Sequence, residues 1–138
     1  MIQLTTKLGP TDRPNRNKRI YSESCFKEVD RNKFYPVVFQ GDDLALHNIL
    51  CMAKIDYYNN LIEITTEPLI NNNHRFPKFD EIIDAFNKGE LKLTPYGHGL
   101  VEYNVEKDCY IVTNYTLTHF EICSQTAFDY YVTELKFL

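Results

Sequence analysis

The 138-residue chain contains no tryptophan, only two methionines and only five glycines. It has no uninterrupted apolar run near the roughly 18 residues that a membrane-spanning helix requires. Its four cysteines form no C-x-x-C pair, and no histidine lies at zinc-ligand spacing from any of them. These absences argue against a membrane span, a metal site and a cofactor, and they predict free, buried thiols.

The amino terminus also lacks the charged and then apolar layout of a secretory signal, so we expect synthesis in the cytoplasm. The composition that is present is globular, with 43% hydrophobic, 25% charged and 14% aromatic residues. Length and composition together fit one domain over residues 1–138. The aromatics are 10 tyrosines and 9 phenylalanines, which favour β-structure and contact surfaces.

The net charge of −4 is unevenly distributed along the chain. Residues 1–33 hold eight basic and four acidic side chains, a net charge of +4, so the remaining residues carry −8. A basic end and an acidic body can dock onto a partner, or onto copies of the same chain, through complementary potentials. A short basic stretch on an acidic protein argues against nucleic acid as that partner.

Alternating and compact apolar patterns predict several strands. The predicted strands are residues 2–8, 35–39, 44–55, 61–66, 91–94, 99–104, 110–113 and 117–123. The tail, 128–138, fits a strand or a short helix, and its Tyr-Tyr-Val sequence favours the strand. Residues 10–20 are polar, charged and interrupted by proline, which predicts an extended basic arm.

Two segments carry helical signals. The stronger one covers about residues 78–88, where an i, i+3, i+4, i+7 apolar stripe ends before Gly89. The apolar positions of this stripe are Phe79, Ile82, Ile83 and Phe86. A thinner stripe predicts a short helix over residues 22–31, capped by Ser22 or Ser24.

The most distinctive motif is PNRNKRIY at residues 14–21. It resembles the amino-terminal motif of the tailed-phage prohead proteases, the capsid-maturation serine proteases that share a fold with the herpesvirus assemblins. The family typically has Pro-Asn-x-Asn-Gly-Arg-Ile-Tyr here, so Lys18 replaces its usual glycine. Residues 60–68, 91–100 and 117–123 are similar, in the same order, to later passages of the family. The resemblance implies an α+β fold that is mainly antiparallel and barrel-like.

The resemblance also implies a degenerate catalytic centre. The family's histidine position falls on Gly41, which has no side chain to accept a proton. Its serine position falls on Thr94, whose methyl group crowds an attack and whose neighbour Pro95 has no N–H for an oxyanion hole. Glu121 matches the acidic third member but has no histidine to orient. On this alignment no catalytic residue is retained.

A shifted alignment gives the alternative. His47 lies near Gly41 in the sequence, and His98 lies near Thr94. Either imidazole would serve as general base if it reached hydrogen-bond distance of the Thr94 hydroxyl. The chain would then be an active maturation protease that cleaves scaffold or capsid precursors.

The expected function is that of a non-enzymatic virion protein, an auxiliary or decoration protein that binds the major capsid protein or other virion proteins in the capsid. The basic arm supplies the predicted contacts, because arginine forms strong charge-assisted hydrogen bonds across interfaces. The predicted partner-binding residues are Arg13, Arg16, Lys18, Arg19 and Tyr21. A third hypothesis is a small interaction domain of phage or host that is unrelated to capsids.

Overall fold

A computed structural model describes residues 1–21, 23–26, 29–69, 79–89, 91–123, 126–128 and 130–138. The elements are β1 (Ile2–Gly9), β2 (Arg19–Tyr21), α1 (Glu23–Phe26), β3 (Tyr35–Phe39), β4 (Cys51–Tyr58), β5 (Leu61–Thr66), α2 (Phe79–Asn87), β6 (Lys92–Asn104), β7 (Cys109–Cys123) and β8 (Tyr130–Phe137). A short 3-10 helix, Leu46–Asn48, connects β3 to β4. None of the helices in the described ranges has the length and apolar character needed to cross a membrane.

All eight strands belong to one mixed sheet. Its main path runs β2-β7-β3-β4-β5-β1-β8, and β6 pairs with β7 along nearly all of its length. The β2–β7 and β3–β7 pairs are parallel, whereas the other pairs are antiparallel. Because β6 occupies one edge of β7, β2 and β3 share the opposite edge. The fold is therefore α+β, with a predominantly antiparallel sheet.

The sheet is not closed into a barrel, which differs from the barrel-like expectation. Its two ends, β6 and β8, approach each other only at one corner. There the Thr133 hydroxyl donates to the Leu91 carbonyl at 2.9 Å, and the Lys92 ammonium lies 4.4 Å from the centre of the Tyr131 ring. In the described chain no ladder of backbone hydrogen bonds joins β6 to β8. A closed barrel would have such a ladder between its first and last strands, whereas here side chains make the contacts across the gap.

Most predicted elements are present, with three differences. Residues 91–94 and 99–104 form one continuous strand, β6, and 110–123 likewise falls within the single strand β7. Residues 44–50 are not a strand and include the 3-10 helix. Of the helix predicted over 22–31, the structure has Glu23–Phe26, while Ser22 and the side chain of Ser24 lie outside the described part.

The core is aromatic where the sheet meets α1. Phe26 stacks on Tyr57 at 5.2 Å and packs against Tyr115 at 5.3 Å between ring centres. Tyr57 donates or accepts a buried hydrogen bond of 2.9 Å with Thr11, which satisfies its hydroxyl. Helix α2 buries Ile82 and ends at Asn87, and Gly89 shortly after it has a φ of 69°, the left-handed conformation typical of the residue that follows a helix.

Candidate functional site

The three predicted degenerate positions come together in space. In the β6–β7 ladder Thr94 lies opposite Glu121, so both occupy adjacent strands of the sheet. Gly41 follows β3, which pairs with the same end of β7, and its N–H donates to Glu121 Oε2 at 3.4 Å. The glycine at the expected histidine position therefore contacts the acidic residue through its backbone alone.

The Thr94 hydroxyl is buried, and no oxygen or nitrogen atom of the described residues bonds to it. Burial raises the pKa of the Cys123 thiol, and the Glu121 carboxylate raises it further. A hydrogen bond with Thr94 lowers this pKa by less. Near neutral pH Cys123 is therefore a neutral thiol, which is neither a nucleophile nor a base for Thr94.

His119 lies beside the Glu121 carboxylate on β7, and sequence reasoning missed it. Its Nδ1 lies 2.8 Å from the Thr118 hydroxyl, and its Nε2 lies 3.6 Å from Glu121 Oε2. The ring stacks on Tyr96, with 4.7 Å between the ring centres. Both ring nitrogens therefore face groups other than Thr94. The signal in the sequence was the i, i+2 spacing of His119 and Glu121, which places both on one face of a strand.

Neither histidine of the alternative alignment bonds to the Thr94 hydroxyl, which has no oxygen or nitrogen partner within the described part of the chain. His47 is exposed in the 3-10 helix. His98 is exposed on β6, and its ring lies edge-on to Tyr96 at 6.3 Å. His74 lies outside the described residues.

Two cavities lie side by side along β6. The first, the Thr94 cleft, has a volume of about 240 Å³. Its lining includes Asn15, Asn17, Gln40, Thr94, Glu121 and Cys123. The second, the Gly97 cavity, has a volume of about 300 Å³ and is lined by Arg19, Gly97, His98, Gly99, Val112 and Tyr115 among others. Tyr21, Pro95 and Tyr96 line both cavities, so the two are contiguous.

The basic segment is folded onto the body of the protein. The Asn15 side chain accepts hydrogen bonds from the N–H groups of Asn17 and Arg19, at 2.9 and 3.2 Å. The Arg16 N–H donates to the Ala127 carbonyl at 2.9 Å. An Asx-type turn therefore holds PNRNKRIY beside the Thr94 cleft, so this part of the predicted extended arm is a bound loop.

The predicted partner-binding side chains differ in their surroundings. Arg13, Arg16 and Arg19 are exposed, although Arg13 lies 3.8 Å from Asp12. Tyr21 is half-buried, with its ring centre 6.1 Å from that of Phe26. The charged groups of the arginines are thus directly accessible to a partner, whereas Tyr21 is accessible within the two cavities that it lines.

Lys18 has a strained backbone. Its φ is 57°, in the left-handed region that glycine adopts freely and other residues adopt at a cost of roughly 1–2 kcal/mol. Its side chain makes an exposed ion pair of 3.7 Å with Asp108, a kind of contact that adds little stability. Relief of the backbone strain therefore outweighs the loss of this contact.

We expect Lys18→Gly to be more stable than the unaltered chain by about 0.5 kcal/mol, after the entropy of glycine in the unfolded state is deducted. Urea unfolding followed by circular dichroism measures this difference. The matched control is Lys18→Gln, which removes the charge but keeps the Cβ atom. A glycine variant no more stable than the glutamine variant would contradict the strain argument.

The described residues contain no group of three or more histidine, cysteine, aspartate or glutamate side chains that could hold a metal ion. The four cysteines are buried and unpaired. Comparison with protein-family models, curated proteins and solved structures gives no significant match to this chain.

Proposed function

We propose that the chain is a non-enzymatic phage virion protein that binds the capsid, and that it has the barrel-related fold of a prohead protease whose catalytic centre is lost. One observation carries the non-enzymatic part of the proposal. Among the described residues no histidine or carboxylate bonds to the buried Thr94 hydroxyl, and the neutral Cys123 thiol beside it is no base, so none of these residues is placed to remove its proton.

Two further features of the cleft support the absence of hydrolysis. Pro95 follows Thr94 and lacks the N–H that could stabilise an oxyanion. His119, the imidazole beside Glu121, directs one nitrogen to Thr118 and the other to Glu121. A hydroxyl without a base and an imidazole without a nucleophile together give little rate enhancement.

The capsid part of the proposal rests on the resemblance in residues 14–21. The backbone of Lys18 supports it, because the position where the family usually has glycine has a φ of 57°. The contact between Gly41 and Glu121 also supports it, since the resemblance assigns both residues to one catalytic centre. These two features are local, and each agrees with the family pattern independently of the other.

The surface supports a binding role. Exposed arginines lie on the segment 13–19, whereas the rest of the chain is acidic. Several tyrosines are also well exposed, and tyrosine is enriched in the cores of protein interfaces. The exposed tyrosines are Tyr58, Tyr96, Tyr103, Tyr110, Tyr130 and Tyr131.

An active threonine-type maturation protease is the second candidate. The observation that favours it is the β6–β7 register, in which Thr94 lies opposite Glu121 and His119 lies two pairs further along, opposite Tyr96. A rotation of the His119 ring away from Glu121 would be needed before its nitrogen could bond to Thr94. Substrate binding would have to drive that rotation.

The test is to co-express the chain with the scaffold and capsid precursors of the phage that encodes it and to measure intact masses. We expect no cleavage, both in the unaltered chain and in Thr94→Ser, which removes the crowding methyl group. Thr94→Val keeps the shape of the side chain without its hydroxyl, and Thr116→Ala on β7 is the control. Cleavage that Thr94→Val abolishes and Thr116→Ala leaves intact would establish the protease instead.

A further inference from the structure

Strand β6 has one edge without a partner strand. It pairs with β7 along one side, and no other strand in the described ranges bonds to its outer side. β8 approaches only the beginning of β6, near Leu91 and Lys92. From Tyr96 to Asn104 no strand of the described ranges pairs with the outward N–H and C=O groups, so this edge is open to another strand.

This edge lacks the features that normally prevent pairing. Glu102 is the only acidic or basic residue in 96–104 apart from His98. The two register shifts in the β6–β7 ladder place their extra residues on β7, so β6 itself continues without an inserted residue. Large apolar side chains are also exposed here: Leu100 is 62% exposed and Tyr103 is 51% exposed. An apolar, weakly charged, unpaired edge predicts strand addition.

If two copies of this edge pair antiparallel, with Leu100 opposite Leu100, the residues that face each other are complementary. One step away, Gly99 faces Val101, and two steps away, His98 faces Glu102. Three steps away, Gly97 faces Tyr103. Each small residue thus meets a large one, and an imidazole meets a carboxylate, on both sides of a central leucine.

We propose that a second copy of this chain pairs with the β6 edge, antiparallel and about a two-fold axis at Leu100. Such an interface is closed, because each contact on one side of the axis is repeated on the other. We name a second copy as the partner because this edge is complementary to itself. Binding of an unrelated strand would not require that complementarity. The sheets of the two copies join into one continuous sheet.

The Gly97 cavity lies next to the position that Tyr103 of the second copy takes in this pairing. In this register Tyr103 of each copy lies opposite Gly97 of the other, next to a cavity of about 300 Å³ that Gly97, Gly99 and Tyr115 line. A Cβ atom at either glycine would collide with atoms of β7, so the two glycines let β7 approach closely beside this cavity. Within its own copy the Tyr103 ring packs on Tyr110 and its hydroxyl donates to Asp108, so Tyr103 borders this cavity and does not fill it. A pairing of nine residues buries little surface, so we expect dissociation in the micromolar range.

Sedimentation velocity of the full chain over a wide concentration range tests this proposal. We expect a monomer–dimer equilibrium, and at least a tenfold weaker dimer for Leu100→Glu, which places two carboxylates at the axis. Leu46→Glu is the control, because Leu46 is similarly exposed, at 68%, but lies in the 3-10 helix. A monomer at all concentrations, or a dimer that Leu100→Glu leaves unchanged, overturns the proposal.

Disulfide crosslinking tests the register. Residue 100 pairs with itself across the axis, so Leu100→Cys places two thiols within bonding distance. Tyr103→Cys places its two thiols about 20 Å apart, because six residues separate position 103 from its own copy along the strands. The native cysteines are all buried. We expect oxidation to crosslink the first variant and not the second, and the reverse result, equal crosslinking or no crosslinking overturns this register.

Discussion

Replacing Gly97 with alanine is expected to lower the free energy of unfolding by about 3 kcal/mol, which corresponds to a fall in Tm of roughly 10 °C. A Cβ atom at this position would lie well inside van der Waals contact with the Thr116 carbonyl oxygen, and 2.9 Å from Tyr115 Cζ. The Thr116 oxygen belongs to the backbone of β7 and cannot move without disturbing the ladder. Thermal unfolding in dilute solution, followed by circular dichroism, measures the loss.

Two other glycines provide matched controls. At Gly41 a Cβ atom meets nothing within 4 Å, although φ is 89°, so Gly41→Ala carries only the backbone cost of roughly 1–2 kcal/mol. At Gly99 the nearest atom, 2.7 Å away, is a side-chain methyl carbon, Cγ1 of Val112, and the nearest backbone atom, the Thr113 oxygen, is 3.0 Å away and so clashes less than the Thr116 oxygen does at Gly97. We expect Gly97→Ala to be the least stable of the three variants. The account of close β6–β7 packing is contradicted if Gly41→Ala is the least stable.

The triple variant Arg13→Ala, Arg16→Ala, Arg19→Ala is expected to bind capsids about tenfold more weakly at low salt, mainly through a slower association rate. The three side chains are exposed, and the turn that holds them depends on backbone groups and on Asn15. The fold should therefore survive the change. Surface plasmon resonance with immobilised particles, at two salt concentrations, measures both rates.

The control for this variant removes the same charge from elsewhere on the surface. Lys33, Lys54 and Lys136 are exposed and lie outside the segment 10–20, so their joint replacement by alanine changes the net charge equally. We expect this control to retain most of the association rate. Equal binding by the unaltered chain and the arginine variant at low salt would show that these arginines do not contribute to capsid binding.

Local patterns in the sequence were sufficient to predict elements such as β1 and α2. The alternation in residues 2–8 becomes β1, and the stripe before Gly89 becomes α2, because one face of each is buried. The same rules failed for β6. Pro95, Gly97 and Gly99 are strand breakers in isolation, yet here the glycines allow β7 to approach closely and the strand continues.

For the candidate site, too, the sequence predicted some residues and missed others. Gly41, Thr94 and Glu121 were named from the resemblance, and the strand pairings bring them together. His119 was missed because its stacking on Tyr96 depends on the β6–β7 register, which single-sequence patterns do not determine. The turn at Asn15 was also missed, although asparagine within a proline-containing loop is a known signal for it.

The abundance of the protein in mature particles tests the capsid-binding claim most directly. The proposed function implies a phage that encodes this chain; its particles would be purified, and the ratio of this chain to the major capsid protein would be measured by quantitative mass spectrometry. We predict many copies per particle, comparable in number to a regular class of sites on the capsid lattice. Absence from purified particles, or only a few copies in each, would contradict the account.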